Sequence, residues 1–357
     1  MQLTRFKMTL VATLILVLGF AGTAAAQHHQ HYSVTNLVAD LPGVAANTDP
    51  NLVNPWGISF SATSPFWISD NGTGLSTLYS GAGATIPLVV TIPPPNGGTP
   101  PATPTGTVFN ATTDFVVSAN GLSAAAAFLF ATEDGTISGW APSVDRGNAI
   151  LAVDNSGLGA VYKGLASGTT KKGNFLYVTN FHDGWVEMYD ANFQLVKQFT
   201  DYHVPDGYAP FGIQNINNKL YVTFAKQDAD KHDDVGGPGH GFVDVFSLEG
   251  HKERRLVSRG RLNSPWGMAL APANFGKFSG DLLVGNFGDG RIHAYGLHSG
   301  NFHGTLRMQH HVPIAIDGLW GLAFGTGAAN SGPTNALFFT AGPDDEAHGL
   351  FGEIQVE

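Results

Sequence analysis

Cysteine is absent from the 357 residues, which excludes a disulfide framework, a thiolate metal site and a cysteine nucleophile. Charge is sparse, at 13% of residues, and what there is leans acidic, with 28 Asp and Glu against 18 Lys and Arg. A formal net charge of −10 argues against nucleic acid or an anionic membrane as partner. Long apolar runs are also missing: the one such stretch, residues 8–20, falls short of the roughly 20 residues that span a bilayer. No helical period persists beyond it. What remains is plentiful: 43% hydrophobic residues, enough for a core, with 46 Gly and 20 Pro punctuating short apolar runs. That is the grammar of a turn-rich β protein.

The N-terminal segment has the layout of a signal peptide. Arg5 and Lys7 precede the apolar stretch, and Ala24, Ala25 and Ala26 supply a small-residue cleavage signal. Cleavage after Ala26 leaves residues 27–357 as one domain, exported to the periplasm or the extracellular space, with no membrane span. A free Gln27 amine would place His29 third in the mature chain, an arrangement able to chelate Cu²⁺; cyclisation of Gln27 would remove the amine.

One phrase recurs along the body: a Gly-centred apolar start, a short β run, a polar turn, then a second run. The starts are Asn54-Pro55-Trp56-Gly57, Asn120-Gly121-Leu122, Gly164-Leu165-Ala166, Ala209-Pro210-Phe211-Gly212, Ser264-Pro265-Trp266-Gly267 and Gly318-Leu319-Trp320-Gly321. Further runs follow each turn, so each repeat reads as four strands. The sixth repeat ends one strand short, while residues 32–38 form an unpaired strand ahead of the first. The pattern predicts an all-β, six-bladed β-propeller of four-stranded blades, its ring closed by the N-terminal strand completing the last blade. Residues 93–112 read as a Pro-rich loop between blades one and two, and residues 226–241 as an insertion in blade four.

The string from Asn36 to Asp40, then Thr48-Asp49-Pro50-Asn51-Leu52-Val53-Asn54-Pro55-Trp56-Gly57, with Asp70-Asn71-Gly72-Thr73-Gly74 and Ser76-Thr77-Leu78-Tyr79, resembles a family of exported bacterial propeller proteins. Some of its members carry a PEP-CTERM sorting tail, and this chain ends at Glu357 without one. More distantly the blades resemble NHL and gluconolactonase-type propellers.

In a propeller, the loops leading into each innermost strand share a face with those joining second to third strands. That face is expected to gather Asn54, Asn120, Glu133, His182, Asp183, Asn263, Asp289 and His348 as ligand-binding candidates. Asp and Asn are also what turns require whatever the function. The loop from Gln227 to His240 carries Asp228, Asp230, His232, Asp233 and Asp234, donors able to hold Ca²⁺ or another divalent cation. The gluconolactonase resemblance implies a channel-mouth cation on Asn180, Asn286 and Asp317 with Asp70 as general base, although Asn54 stands where that class would have a Glu. The recurring Trp56, Trp266 and Trp320 are expected to pack between inner strands. No nucleophile elbow, zinc-protease or phosphate-loop motif is present. Two functions remain: a module binding a small polar ligand, glycan or protein at its mouth, and a metal-dependent hydrolase, lactonase or lyase.

Overall fold

The computed structural model describes residues 30–357; the signal-peptide, Gln27 and His29 readings lie outside them. Six four-stranded blades form a β-propeller. Innermost strands are Pro55–Ser59, Pro104–Phe109, Tyr162–Thr170, Tyr208–Ile216, Pro265–Leu270 and Leu319–Phe324, in blades one to six. Second strands such as Phe66–Asp70 and Leu337–Ala341 are buried along their whole length, because each blade is covered on both faces by its neighbours. Tyr32–Ala39 pairs antiparallel with Leu350–Val356, Tyr32 opposite Val356, and so completes blade six as the repeat pattern predicts.

Glycine holds the ring together. Gly57, Gly106, Gly164, Gly212, Gly267 and Gly321 sit one per innermost strand, each blade carrying a register shift between its first two strands. A Cβ on any of the six would lie no more than 2.9 Å from the backbone of the next blade around the ring. In two blades a threonine ties the same place. The Gly164 N–H donates to Thr179 Oγ1 (2.7 Å), whose hydroxyl donates to Phe211 O (2.6 Å) in the next blade. Gly321, Thr340 and Trp56 repeat this across the closing junction, at 2.9 and 2.6 Å.

Blade two differs from the sequence reading. Its innermost strand is Pro104–Phe109, inside the segment read as an inter-blade loop. Asn120 and Gly121 instead form a tight turn, with φ of 53° and 77°, between Val116–Ala119 and Leu122–Ala125. Asn-Gly is the preferred pair where both residues need positive φ. The fourth strand of blade one is short, only Val90–Thr91. We call the face where the innermost strands begin the upper mouth, and the face where they end the lower mouth.

Candidate functional site

The residue ahead of each ring glycine is Trp56, Thr105, Lys163, Phe211, Trp266 or Trp320. Four aromatics from this set, with Phe181 and Phe287, plug the channel. Trp56 stacks on Trp320 with centroids 3.5 Å apart, and Trp266 meets both edge-on. The three tryptophans therefore pack against one another, as expected. Lys163 breaks the aromatic set, and it is buried to 1% exposure.

A buried ammonium needs a partner, or the desolvation cost expels its charge. Lys163 has two: its Nζ donates to Glu133 Oε1 and, at 3.3 Å, to Asp233 Oδ1. It also lies 5.2 Å from the Trp56 ring centroid and 5.8 Å from that of Phe181. Burial works against the charge, but the Glu133 carboxylate and then Asp233 outweigh it, and the Lys163 pKa is held above the usual lysine value. Glu133 Oε2 accepts from Asn71 Nδ2 (2.7 Å), Asn71 Oδ1 from Asn54 Nδ2 (3.2 Å), and Asn54 Oδ1 from Trp320 Nε1 (3.1 Å). A continuous chain thus runs from plug to ammonium. On its other side His232 Nδ1 faces Asp233 Oδ1 at 2.9 Å, and this hydrogen bond, with the charge of Lys163, pulls Asp233 down to about 2. Asp234, half-buried nearby, is pushed up to about 6 by loss of hydration.

Glu346 completes the cluster and was not among the sequence candidates. It closes a run of three residues, Asp344, Asp345 and Glu346, all left-handed with φ of 59°, 51° and 66°. Such a conformation costs roughly 1–2 kcal/mol per non-glycine residue and marks a segment held by its surroundings. Burial, then the Glu133 charge, push Glu346 up to about 7, and its Oε1 is buried without a partner. Trp56 Nε1 is likewise a buried donor without an acceptor. The pH dependence follows. From about pH 4.5 to 7 the unfolded chain has released the Glu346 proton that the folded protein retains, so this group makes stability fall as pH rises through that window. Glu346→Gln removes the titration: denaturant unfolding at pH 5 and pH 8 is expected to show the variant gaining on the parent at the higher pH. An unchanged difference between the two pH values would contradict this.

Of the sequence candidates, Asn54, Glu133, His232, Asp233 and Asp234 meet around Lys163. The others serve their own blades. Asn180 Nδ2 donates to Asp183 Oδ2 and Asn286 Nδ2 to Asp289 Oδ1, both at 3.0 Å, the same turn lock in blades three and five. Asn180 also donates to the buried Glu187 at 2.9 Å. His182 pairs with Asp183 (3.0 Å), and His348 with Asp40 (2.8 Å), which pins the N-terminal strand. Asn263 Oδ1 accepts from Gly237 (2.6 Å), and Asp228 Oδ1 from the His232 N–H (2.9 Å). Asp230 is exposed on that turn. Exposed Asp317 accepts from the Asp344 N–H at 2.9 Å. Two placements need correction. Asn120 lies on the hairpin after Phe109, away from the upper mouth. Asp70 is wholly enclosed in blade one, where it accepts from Thr77 N (3.0 Å). Burial, reinforced by Asp49, pushes its pKa well up, and its carboxylate is shut away inside the blade and not set on the mouth.

Among the described residues, Glu133, His232 and Asp233 place one potential metal-ligand atom each within 4.8 Å of one another. The donors fit a resident divalent ion poorly. Both Glu133 oxygens are engaged, by Lys163 and Asn71, and the ammonium takes the place a cation would fill. The 227–240 loop is pinned at its start: Gln227 bridges to Asp234 and donates to Phe181 O at 2.5 Å.

Lys163 escaped sequence reading because a lone lysine beside a glycine carries no motif. Aligning the six ring glycines exposes it, since that column otherwise holds aromatics and one threonine. Glu346 had no comparable signal.

No protein-family model matches the chain. By fold it is similar to streptogramin B lyase, with a TM-score of 0.54 at 11% identity, covering 92% of this chain and 98% of that one. It is also similar to the aldose sugar dehydrogenase of Escherichia coli, with a TM-score of 0.52 at 12% identity, covering 91% and 99%. At such identities the likeness is one of fold. Two uncharacterized proteins of Acanthamoeba polyphaga mimivirus are each 33% identical over 332 residues, covering 90% of this chain and 80% and 85% of their own length. These relatives are viral, whereas the sequence resemblance pointed to bacteria. The chain belongs to the family of these mimivirus proteins.

Proposed function

We propose that this protein is an exported binding propeller whose upper mouth holds a small polar ligand beside Lys163. The observation that supports this reading is a pair of buried, unpartnered polar atoms, the Trp56 Nε1 donor and the Glu346 Oε1 acceptor, in a network otherwise closed. Unmet hydrogen-bonding capacity costs about 1–3 kcal/mol per group and is retained where something else supplies the partner. Carboxylates outnumber cations there: Glu133, Asp233, Asp234 and Glu346 surround one ammonium and one imidazole. A ligand rich in donors, or carrying an amine, suits that balance. Thermal shift across amino acids, amino sugars and polyamines, followed by titration calorimetry, tests this. A hit should weaken at least about tenfold in Glu346→Gln. Absence of any hit, or a hit indifferent to Glu346 and Asp233→Asn, would overturn it.

The second reading, a metal-dependent hydrolase, lactonase or lyase, has the Glu133–His232–Asp233 grouping in its favour. It requires about one equivalent of bound divalent metal and a fall in melting temperature on chelation. We expect neither, because Lys163 neutralises the same carboxylates.

A further inference from the structure

The lower mouth has a different chemistry. From the end of the innermost strands a funnel of about 660 Å³ leads inward, walled by all six blades. It narrows to roughly 40 Å³ at the ring glycines and ends at the aromatic plug. Its volume lies within the roughly 300–1,000 Å³ of small-molecule sites. No Asp, Glu, Lys, Arg or His lines it among the described residues. In a chain whose upper mouth concentrates charge, this wall is wholly neutral, and a charged ligand would lose its hydration with no counter-charge in return.

The wall is nonetheless rich in hydrogen-bonding groups. Exposed Gln214, Asn217 and Asn218 make no side-chain hydrogen bond to another described residue, so each offers both a donor amide and an acceptor oxygen. Ser59 and Thr107 hydroxyls lie 3.1 Å apart across two blades. Between these groups the partly exposed rings of Phe60, Phe109 and Phe324 give apolar surface. Paired donors and acceptors beside flat apolar faces, without charge, match a molecule whose hydroxyls alternate with C–H faces.

We propose that the lower funnel is a second binding site, separate from the upper mouth, for a neutral hydroxyl-rich ligand of the uncharged oligosaccharide class. The plug of Trp56, Trp266 and Trp320 keeps the two sites apart, so their occupancies are independent.

The probes are di- to tetrasaccharides of the malto-, cello- and chito-series, with the corresponding uronates, measured by titration calorimetry and ligand-observed NMR. A neutral probe is expected to bind with Kd below about 1 mM. Gln214→Trp, which fills the funnel from an exposed position without touching the core, is expected to weaken binding at least about tenfold, and Gln214→Ala less. Asp233→Asn, at the upper mouth, should leave it unchanged. The proposal is overturned if no neutral probe binds, if uronates bind as well, or if Gln214→Trp retains full affinity. Loss of binding on Asp233→Asn would assign the sugar to the upper mouth and overturn it equally.

Discussion

Gly212→Ala is expected to cost at least ~3 kcal/mol of stability, and the protein is expected to fold poorly or not at all at ambient temperature. The added methyl group would meet the Trp266 carbonyl of the next blade, a backbone atom that no rotamer change can move aside. Overpacking against a flexible side chain costs typically about 1–3 kcal/mol; against a strand backbone, two blades must separate. The same methyl group would lie 3.1 Å from Thr223 Oγ1, which accepts from the Gly212 N–H (2.8 Å). Gly157→Ala is the control. Nothing lies within 4 Å of a Cβ there, and its φ is not positive. Equilibrium unfolding of both variants decides the matter. A cost below about 1 kcal/mol for Gly212→Ala would show that the ring tolerates side chains, and the glycine spacing would then need another cause.

Lys163→Met carries the second large effect. Methionine fills a similar volume, so the change isolates the charge. Removing one partner of a buried pair typically costs about 3–5 kcal/mol, because the other charge is left uncompensated. Here that charge is Glu133, whose side chain is 10% exposed. With Lys163 gone, Glu133 retains only the Asn71 donor. Adding Glu133→Gln should restore much of the loss, since the neutral amide needs no cation. The coupling from this double-mutant cycle separates the ion pair from the packing of the lysine stem. If the double variant is no more stable than Lys163→Met, the single cost arises from packing over Trp56 and Phe181. Asp233, more exposed and only 3.3 Å from the ammonium, should contribute little by comparison.

The two effects bear on function differently. Ring glycines bring the blades close enough to bury a plug, and the plug divides one channel into two mouths. Lys163 and its carboxylates then give the upper mouth its character. A binding defect in Lys163→Met must therefore be read beside its stability, whereas Glu346→Gln and Gln214→Trp probe each mouth without leaving a buried counter-charge unpaired.

The fold was legible in the amino-acid order because its signals are local. A strand buried on both faces is mostly apolar, as Phe-Leu-Phe-Ala at the start of Phe128–Thr132 is. A polar turn must follow it, and six copies of that pairing leave few other architectures. The closing strand was legible because one repeat ended a strand short and one strand stood unpaired. Blade two was misread because the local signal pointed elsewhere. Asn120 and Gly121 carry stronger turn chemistry than Pro104-Thr105-Gly106, which lacks an aromatic anchor and follows a proline-rich run.

The site was legible only in part, for the opposite reason. Asn180, Asn286 and Asp70 have the residue types of a polar mouth, yet Asn180 and Asn286 lock their own turns through Asp183 and Asp289, and Asp70 is wholly enclosed. Composition cannot tell a turn lock from a ligand, since both require the same amide and carboxylate groups. Glu133, Lys163, Asp233 and Glu346 come from four different blades and are far apart in the chain. Only ring closure brings Glu346 of the last blade to the Lys163 and Glu133 of the third and second. Sequence alone thus determined the number of blades, the strand count in each and the way the ring closes, since these depend on local burial and turn preferences. The tertiary structure decided which polar residues share a mouth, which serve as struts, and that a lysine holds the centre, because charge pairing and desolvation act across blades.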